Sequence, residues 1–488
     1  MNTLMIPEII ALIGNHLPLF GHRFNASYDR NCVTWDPKTL LSVATVCRTW
    51  HSVLTGVLWH TYDRVLMEWI VPNDVLARNV HLIRRLSLLD ECTMDPDERR
   101  ALRHALRHHQ HISSLEVFEE VFLHQRLFEL HADSLSELKL TGSGARVGVT
   151  LITFVESLHN LKCLELAQYK FTPTDWKKLV TGKPHLRQLA VLEKGVYNEG
   201  RGTIVSGSRR IKQARRREDI EMANAADLGT LPITHLVIND SKFHFALRES
   251  TFRASPNLKQ LETSLPRSTR NQDYAQLIRD HCQKLQVLTV YSKHSTSTQT
   301  IIKEMPQTVQ ELVLHLAHAP SDLADSIIER RASLTRLELD FVNPRNAYSN
   351  HPSGVKKILQ KCSELREFVY HHHIHDRFFA CMVLKDKWKL PHLKTLQLHG
   401  LDPYCRMNKR DPLCENAGPN TPTTIPVGWR RDGGEAYCGC CYFQMRGNVF
   451  PRIKERHAPF DAVLLHHLQD LPCLSEVVIT EAVYKRPL

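Results

Sequence analysis

Apolar residues recur along the chain in a hexad, apolar-x-x-apolar-x-apolar. A clear copy is Leu161, Leu164 and Leu166. The last two apolar positions alternate with their neighbours, which predicts a half-buried strand. So many copies predict a chain built from one repeated unit. The thirteen copies, weaker at the second, seventh and last, begin at Ile83, Ile112, Leu135, Leu161, Leu186, Ile233, Leu258, Leu285, Val309, Leu334, Leu365, Leu393 and Leu474.

Helical patterns separate the hexads, most of which begin about 25 residues after the previous one. Trp176, Leu179 and Val180 recur at helical spacing, with a predicted cap at Thr174. Each unit is therefore predicted as strand, turn and helix. Because such a unit cannot bury its apolar side alone, the units stack, with parallel strands on one face and helices on the other. The step of 47 residues from Leu186 to Ile233 indicates a missed copy or an insertion.

This repeat resembles the leucine-rich repeat family over residues 82–400. The resemblance implies an α/β solenoid of horseshoe shape, with strands on its concave face and helices on its convex face. The chain departs from the most regular members because it lacks a consistent Asn after the last leucine of the hexad. We expect the solenoid to occupy residues 80–488.

A helical pattern of different character precedes the repeats. Apolar residues from Ile6 to Leu17 recur at helical spacing. A second helix is predicted from Leu40 to Trp50, and another begins at Leu54. Three short helices bury only a small core, so apolar side chains are expected to remain available to a partner. Examples are Ile10, Leu41 and Trp59.

These helices resemble the F-box, whose pattern runs Leu-Pro-x-Glu-Ile, Val-Cys-Arg-x-Trp and Leu-Trp. The matching residues are Ile6-Pro7-Glu8-Ile9-Ile10, Leu17, Leu40-Leu41, Val46-Cys47-Arg48-Thr49-Trp50 and Leu58-Trp59. Ile6 replaces the usual leucine. The 22 residues between Leu17 and Leu40 exceed the usual gap, so the long loop Pro18–Thr39 is either disordered or a source of further contacts. Helices that merely cap the solenoid are the alternative, and the two roles are compatible.

The resemblance implies that the chain is an adaptor and not an enzyme. F-box proteins with leucine-rich repeats dock through the F-box on the Skp adaptor of a cullin-RING ubiquitin ligase, while the repeats hold a protein substrate. The F-box-like module is expected at residues 1–65. The residues that the resemblance assigns to Skp binding are Ile6, Pro7, Ile9, Ile10, Leu17, Leu40, Leu41, Val46, Cys47, Trp50, Leu58 and Trp59.

The alternation within each hexad also predicts which residues face away from the helices, namely the two that flank the second apolar position. Over the thirteen hexads these pairs hold eight carboxylates and three cations, although the whole chain has a net charge of +11. We predict that this inner face prefers a basic or neutral segment of a protein partner and repels nucleic acid. The alternative is that glutamate only supplies solubility. The candidate substrate-binding residues are Glu165, Glu262, Glu311, Arg336, Glu338 and Glu367.

Two segments interrupt the repeat. Residues 200–228 contain the basic run Arg209–Arg217, which is a solvated insertion, a nuclear-import signal or an anion-binding patch. In the last case the chain is a ligase-independent scaffold associated with nucleic acid. Residues 401–460 are rich in Cys, Pro and Gly, and a zinc hypothesis there lacks the usual pairs with two intervening residues. We therefore predict no metal and no other cofactor. The cysteines of the zinc hypothesis are Cys405, Cys414, Cys438 and Cys440, or Cys441 in place of the last.

The remaining sequence features argue against catalysis and against a membrane. Walker-type phosphate loops, zinc-protease helices and nucleophile elbows are missing, so we expect no enzyme and no small-molecule substrate. Thirteen scattered cysteines without a secretory signal are expected to be reduced thiols, which favours the cytoplasm or the nucleus. The longest apolar run is too short to span a bilayer.

Overall fold

The computed structural model divides the chain into two compact units, Met1–Ile233 (unit 1) and Thr234–Leu488 (unit 2). The residues that the structure describes are 7–17, 20–25, 30–35, 37–67, 71–88, 104, 106–107, 111–118, 130–193, 227–240, 243–265, 271–292, 295–316, 322–341, 351–372, 387–399, 425–426, 428–431, 464–479 and 482–486.

Unit 1 begins with three short helices that share a small core. The core is formed by Ile10, Leu40, Ala44 and Leu54. At Gly14 the first helix approaches the third so closely that a Cβ atom would lie 2.5 Å from Leu54 Cδ2. The three helices are α1 (Pro7–His16), α2 (Lys38–Ala44) and α3 (Arg48–Leu58).

Two details of the helical prediction are wrong. The predicted second helix does not reach Trp50, because α2 ends at Ala44 and the backbone of Cys47 is extended before α3 begins. No separate helix begins at Leu54, because Leu54 lies inside α3 and Trp59 follows the end of that helix. The predicted loop Pro18–Thr39 contains two antiparallel strands, β1 (Phe20–Asn25) and β2 (Arg30–Trp35).

The sheet of unit 1 is parallel, and each strand pairs with the next strand along the chain, as the hexads predict. Its strands are β3 (Thr61–Asp63), β4 (Arg85–Leu88), β5 (Ser114–Phe118), β6 (Glu137–Thr141), β7 (Cys163–Ala167) and β8 (Gln188–Leu192). The helices between these strands are α4 (Arg64–Met67), α5 (Asn73–Asn79), α6 (Val149–Ser157) and α7 (Pro173–Val180), with a 3₁₀ turn at Val80–Leu82.

Strand β3 is a repeat that the hexad search missed. Tyr62 pairs with Leu86 in the parallel register between β3 and β4. Trp59 and Tyr62 therefore occupy the first and second positions of an additional hexad, and both are buried. The third position is Arg64, a polar residue that the apolar pattern cannot detect. The sheet thus begins at Thr61, before the predicted start at residue 80.

Unit 2 continues the same design of strand, turn and helix. Its parallel strands are β9 (His235–Asn239), β10 (Gln260–Ser264), β11 (Val287–Ser292), β12 (Glu311–Leu316), β13 (Arg336–Phe341), β14 (Glu367–His372), β15 (Thr395–His399) and β17 (Glu476–Ile479). Two further short strands are β16 (Arg430–Arg431) and β18 (Ala482–Lys485). Strand β18 pairs antiparallel with both β17 and β16. The helices are α8 (Phe245–Ala254), α9 (Asn271–His281), α10 (Ser295–Glu304), α11 (Leu323–Ile328) and α12 (His351–Lys361).

The apolar positions of all thirteen predicted hexads are buried, so the prediction of an α/β solenoid is confirmed in both units. One core position is polar. Thr263, in the weak copy that begins at Leu258, is fully buried and shares a 2.6 Å hydrogen bond with the hydroxyl of Tyr274. A buried hydroxyl needs such a partner, which explains why this copy departs from the apolar pattern.

Helix α7 is capped at Thr172 and not at the predicted Thr174. The Thr172 side chain accepts a hydrogen bond from the Asp175 backbone N–H, and the Asp175 carboxylate accepts one from the Thr172 N–H. Pro173 occupies the first turn, where its missing N–H costs nothing. Arg146 adds an ion pair of 2.9 Å to Asp175. Burial raises the pKa of Asp175, but the hydrogen bonds from Arg146 and Thr172 outweigh it, so the pKa is lowered.

Loss of this cap has a modest expected cost. We expect Thr172→Ala to lower the free energy of unfolding of unit 1 by about 1 kcal/mol, because one N–H of the first turn loses its acceptor. Urea unfolding measures this difference. Thr174→Ala is the matched control, since Thr174 lies inside the helix and is not its cap. Equal effects of the two substitutions would contradict the assignment of the cap.

Two predicted insertions lie largely or wholly outside the described residues. Of residues 200–228 the structure describes only the last two, and the run Arg209–Arg217 is outside. All five cysteines of the zinc hypothesis are also outside. In the described part of the chain, no helix combines the length and the apolar character needed to cross a membrane.

Candidate binding surfaces

The residues assigned to Skp binding fall into three groups in the structure. Ile10, Leu40 and Trp59 are buried, so the expectation that Ile10 and Trp59 remain available to a partner is wrong. Ile10 packs in the core of the three helices, and Trp59 occupies the first position of the hexad that contains β3. Ile6 lies outside the described residues. The exposed members are Pro7, Ile9, Leu41 and Val46, and the half-buried members are Leu17, Cys47, Trp50 and Leu58.

Among the described residues of the helical region, four large apolar side chains are exposed. We call these residues, Ile9, Leu12, Leu41 and Val46, the apolar surface. Their exposed fractions are 37%, 58%, 45% and 67%. Leu12 was missed because the F-box pattern does not include it, although its place on α1 follows from the helical spacing. Exposed large apolar side chains beside so small a core are candidates for contact with a partner.

The inner face of each sheet carries the polar residues that the hexads predict. Along β6, half-exposed Glu137, Lys139 and Thr141 alternate with buried Leu138 and Leu140. The same alternation recurs in the other described repeat strands of five or six residues, although a few of the side chains on the inner face are themselves buried. The predicted inner residues of unit 2 include five carboxylates and one guanidinium, whereas those of unit 1 include three carboxylates and two cations. The negative charge is therefore concentrated in unit 2.

Arg336 lies at the centre of a carboxylate cluster on the inner face of unit 2. Its guanidinium contacts Glu311 at 3.2 Å, Glu338 at 3.1 Å and Glu367 at 3.2 Å. Partial burial lowers the pKa of Arg336, but the three carboxylates outweigh this and raise it. The structure thus brings together four of the six predicted substrate-binding residues, with one positive charge among three negative ones.

The other two predicted residues also have partners on neighbouring strands. Glu262 hydrogen-bonds to the hydroxyl of Tyr291, and burial raises the pKa of Glu262 in spite of that bond. In unit 1, Glu165 lies 3.7 Å from the ammonium of Lys139. Each unit therefore presents polar side chains already organised by contacts between strands.

A further row of residues on the inner face of unit 2 was missed. Each of these residues directly follows the last apolar residue of its hexad, so it lies on the same face of the strand as the predicted inner residues. One more step of the strand alternation could have found them. Neighbouring strands place them side by side in register. We call this set the histidine row, and it consists of Tyr291, His315, Asp340, His371 and His399.

The histidine row is held by ring stacking and by a hydrogen bond between His315 and Asp340. The rings of Tyr291 and His315 are stacked, with centroids 4.4 Å apart and planes 7° apart. His315 Nδ1 lies 2.8 Å from a carboxylate oxygen of Asp340. The rings of His371 and His399 are stacked at 4.3 Å and 4°. Stacking fixes the ring planes, so the edges and nitrogens of the rings have defined positions.

The histidine row contacts the carboxylate cluster. His371 Nε2 lies 3.8 Å from Glu338, which also binds Arg336. His399 Nε2 lies 3.4 Å from the side-chain oxygen of Gln397. Within the described ranges, no three His, Cys, Asp or Glu side chains are placed to hold a metal ion. The arrangement can therefore bind cationic or hydrogen-bonding groups of a partner through its carboxylates and ring nitrogens.

Comparisons with known proteins returned solved structures only. Neither a family model nor a curated protein sequence matches the chain. A leucine-rich repeat-containing protein from Legionella pneumophila is 11% identical over 58% of this chain and 81% of its own, with a TM-score of 0.33. A leucine-rich repeat protein from Leptospira interrogans is 13% identical over 70% of this chain and 95% of its own, with a TM-score of 0.23. Because scores this low carry no argument, the fold is assigned from the hexads, the strand pairing and the burial. These show an α/β solenoid whose strand, turn and helix units resemble leucine-rich repeats.

Proposed function

We propose that the chain is the substrate-recognition adaptor of a ubiquitin ligase of the Skp and cullin type. The apolar surface on α1, α2 and the segment before α3 docks on the Skp adaptor, and the repeats capture a protein substrate. The observation that carries this proposal is the exposure of Ile9, Leu41 and Val46, three apolar residues of the F-box-like pattern, on a helical core joined directly to the repeat sheet.

The inner face of unit 2 is the proposed place of substrate capture. Its carboxylates exceed its cations although the chain as a whole carries +11. A basic segment of a partner is therefore attracted to this face and repelled by the basic remainder of the chain. The chain performs no chemistry in this function and requires no cofactor. The cytoplasm and the nucleus are the compartments in which it would act.

Two charges placed on the apolar surface test the docking. We expect Leu41→Glu combined with Val46→Glu to weaken capture of purified Skp adaptor at least tenfold, because each carboxylate would lose water at the interface without gaining a partner. Both side chains are exposed, so the fold of unit 1 is expected to persist. The measurement is binding of the recombinant adaptor to the full chain, with circular dichroism as a check of the fold.

Val149→Glu is the matched control. Val149 is 78% exposed and lies at the start of α6, in the same unit but on a repeat helix. It should leave adaptor binding unchanged. If the unaltered chain does not bind the adaptor, the ligase function is wrong. Salt-sensitive binding to nucleic acid that is lost on deletion of 201–217 would then favour the scaffold alternative.

A further inference from the structure

The histidine row gives the inner face of unit 2 a property that its carboxylates alone do not have. Three of its five members are imidazoles, and histidine is the side chain whose charge ordinarily changes between pH 5 and pH 8. His315 and His371 lie against the carboxylates of Asp340 and Glu338 respectively. An added proton on either ring is therefore placed next to a negative charge that would otherwise attract a cationic partner.

The described groups around these imidazoles come from every neighbouring strand. Around His315 they are Tyr291 on β11, Glu262 on β10, and Glu338 and Asp340 on β13. Around His371 they are Glu338 and Asp340 on β13 and His399 on β15. Glu338 is shared with Arg336. The surroundings are thus rich in carboxylates, with which charged imidazolium groups can pair.

We propose that the inner face of unit 2 captures a lysine- or arginine-bearing segment of its protein partner and releases it on acidification, because His315, His371 and His399 gain charge there. This rests on the proposed capture of a substrate by the inner face. At neutral pH the carboxylates of Glu262, Glu338 and Asp340 attract the basic segment. When the histidine row is protonated, the imidazolium groups pair with these carboxylates and repel the same segment.

A cationic peptide of constant charge tests the proposal. The probe is a short oligolysine peptide with a rhodamine label whose fluorescence does not depend on pH, and the full chain is titrated by fluorescence anisotropy. We expect the affinity to fall about tenfold between about pH 7.5 and about pH 5.5, since histidine changes charge in that range. In the variant His315→Gln, His371→Gln and His399→Gln, the fall should be no more than about twofold.

Matched variants assign the response to the histidine row. His159→Gln, His185→Gln and His392→Gln remove three exposed histidines elsewhere and should leave the pH response unchanged. Glu311→Gln with Glu338→Gln should weaken binding at neutral pH, which places the peptide on the inner face. If the triple histidine variant misfolds, His371→Gln alone, whose side chain is 35% exposed, should reduce the response in part.

The outcomes separate this inference from the function on which it rests. If oligolysine does not bind at neutral pH, or binds equally well to the glutamate variant, the inner face does not capture basic segments and both ideas are wrong. If it binds at neutral pH but the histidine variants respond to pH as the unaltered chain does, only the proton response is overturned. Glu262 is the alternative source of such a response, because burial raises its pKa.

Discussion

Arg248→Met is expected to lower the free energy of unfolding of unit 2 by about 3 kcal/mol or more. Arg248 is fully buried on α8. Its guanidinium donates to the backbone carbonyls of Phe243 at 3.1 Å and Ser264 at 2.8 Å, and also to that of Asp240. Methionine fills a similar volume but donates no hydrogen bond. Three carbonyls, two in the segment after β9 and one at the last residue of β10, would then lose a donor that belongs to a fully buried side chain.

Urea unfolding, with hydrogen exchange of unit 2 peptides as a local measure, tests this expectation. Arg253→Met on the same helix is the matched control. Arg253 is exposed and pairs with Glu249 one turn away, so its loss should cost no more than about 0.5 kcal/mol. Similar destabilisation by both substitutions would show that the carbonyl contacts of Arg248 contribute little.

The second large effect is expected from acid, through His131 in unit 1. Burial lowers the pKa of His131 from 6.5 to about 4. At pH values between these two pKa values, the imidazole binds a proton in the unfolded chain but not in the folded chain. The stability of unit 1 therefore falls as the pH falls from about 6.5 to about 4. The full difference corresponds to roughly 3 kcal/mol. His131→Leu should remove most of this dependence.

The test compares free energies of unfolding at a series of pH values across that window. His159→Leu is the matched control, because His159 is an exposed histidine of the same unit. It should retain the acid sensitivity of the unaltered chain. A chain with His131→Leu that loses stability as steeply as the control between pH 6.5 and pH 4 would contradict the assignment of this effect to His131.

The sequence predicts the repeat well because the hexad is local and each strand obeys the same alternation. It placed all thirteen predicted strands and the polar residues of the inner face. It missed β3 because Arg64 stands where the pattern requires an apolar residue. It missed the histidine row because the hexad ends one residue too early, although the strand continues.

Contacts between distant residues could not be predicted in the same way. The convergence of Glu311, Glu338 and Glu367 on Arg336 depends on the register between strands that lie about 25 residues apart in the chain. The hydrogen bonds of Arg248 depend on residues at the ends of two different strands. The surface or core position of Ile9 and Ile10 depends on how α1 packs against α3, which periodicity alone does not fix.

The position of Trp59 has a consequence for how the chain can be divided. Trp59 follows α3 directly and is buried as the first residue of the hexad that contains β3. The helical region and the first strand are thus joined without a linker. A fragment that ends after residue 58 would lose this tryptophan, and one that begins at residue 80 would leave the edge of β4 unpaired. A partner held by the apolar surface would consequently be carried by the same compact unit as the first repeats.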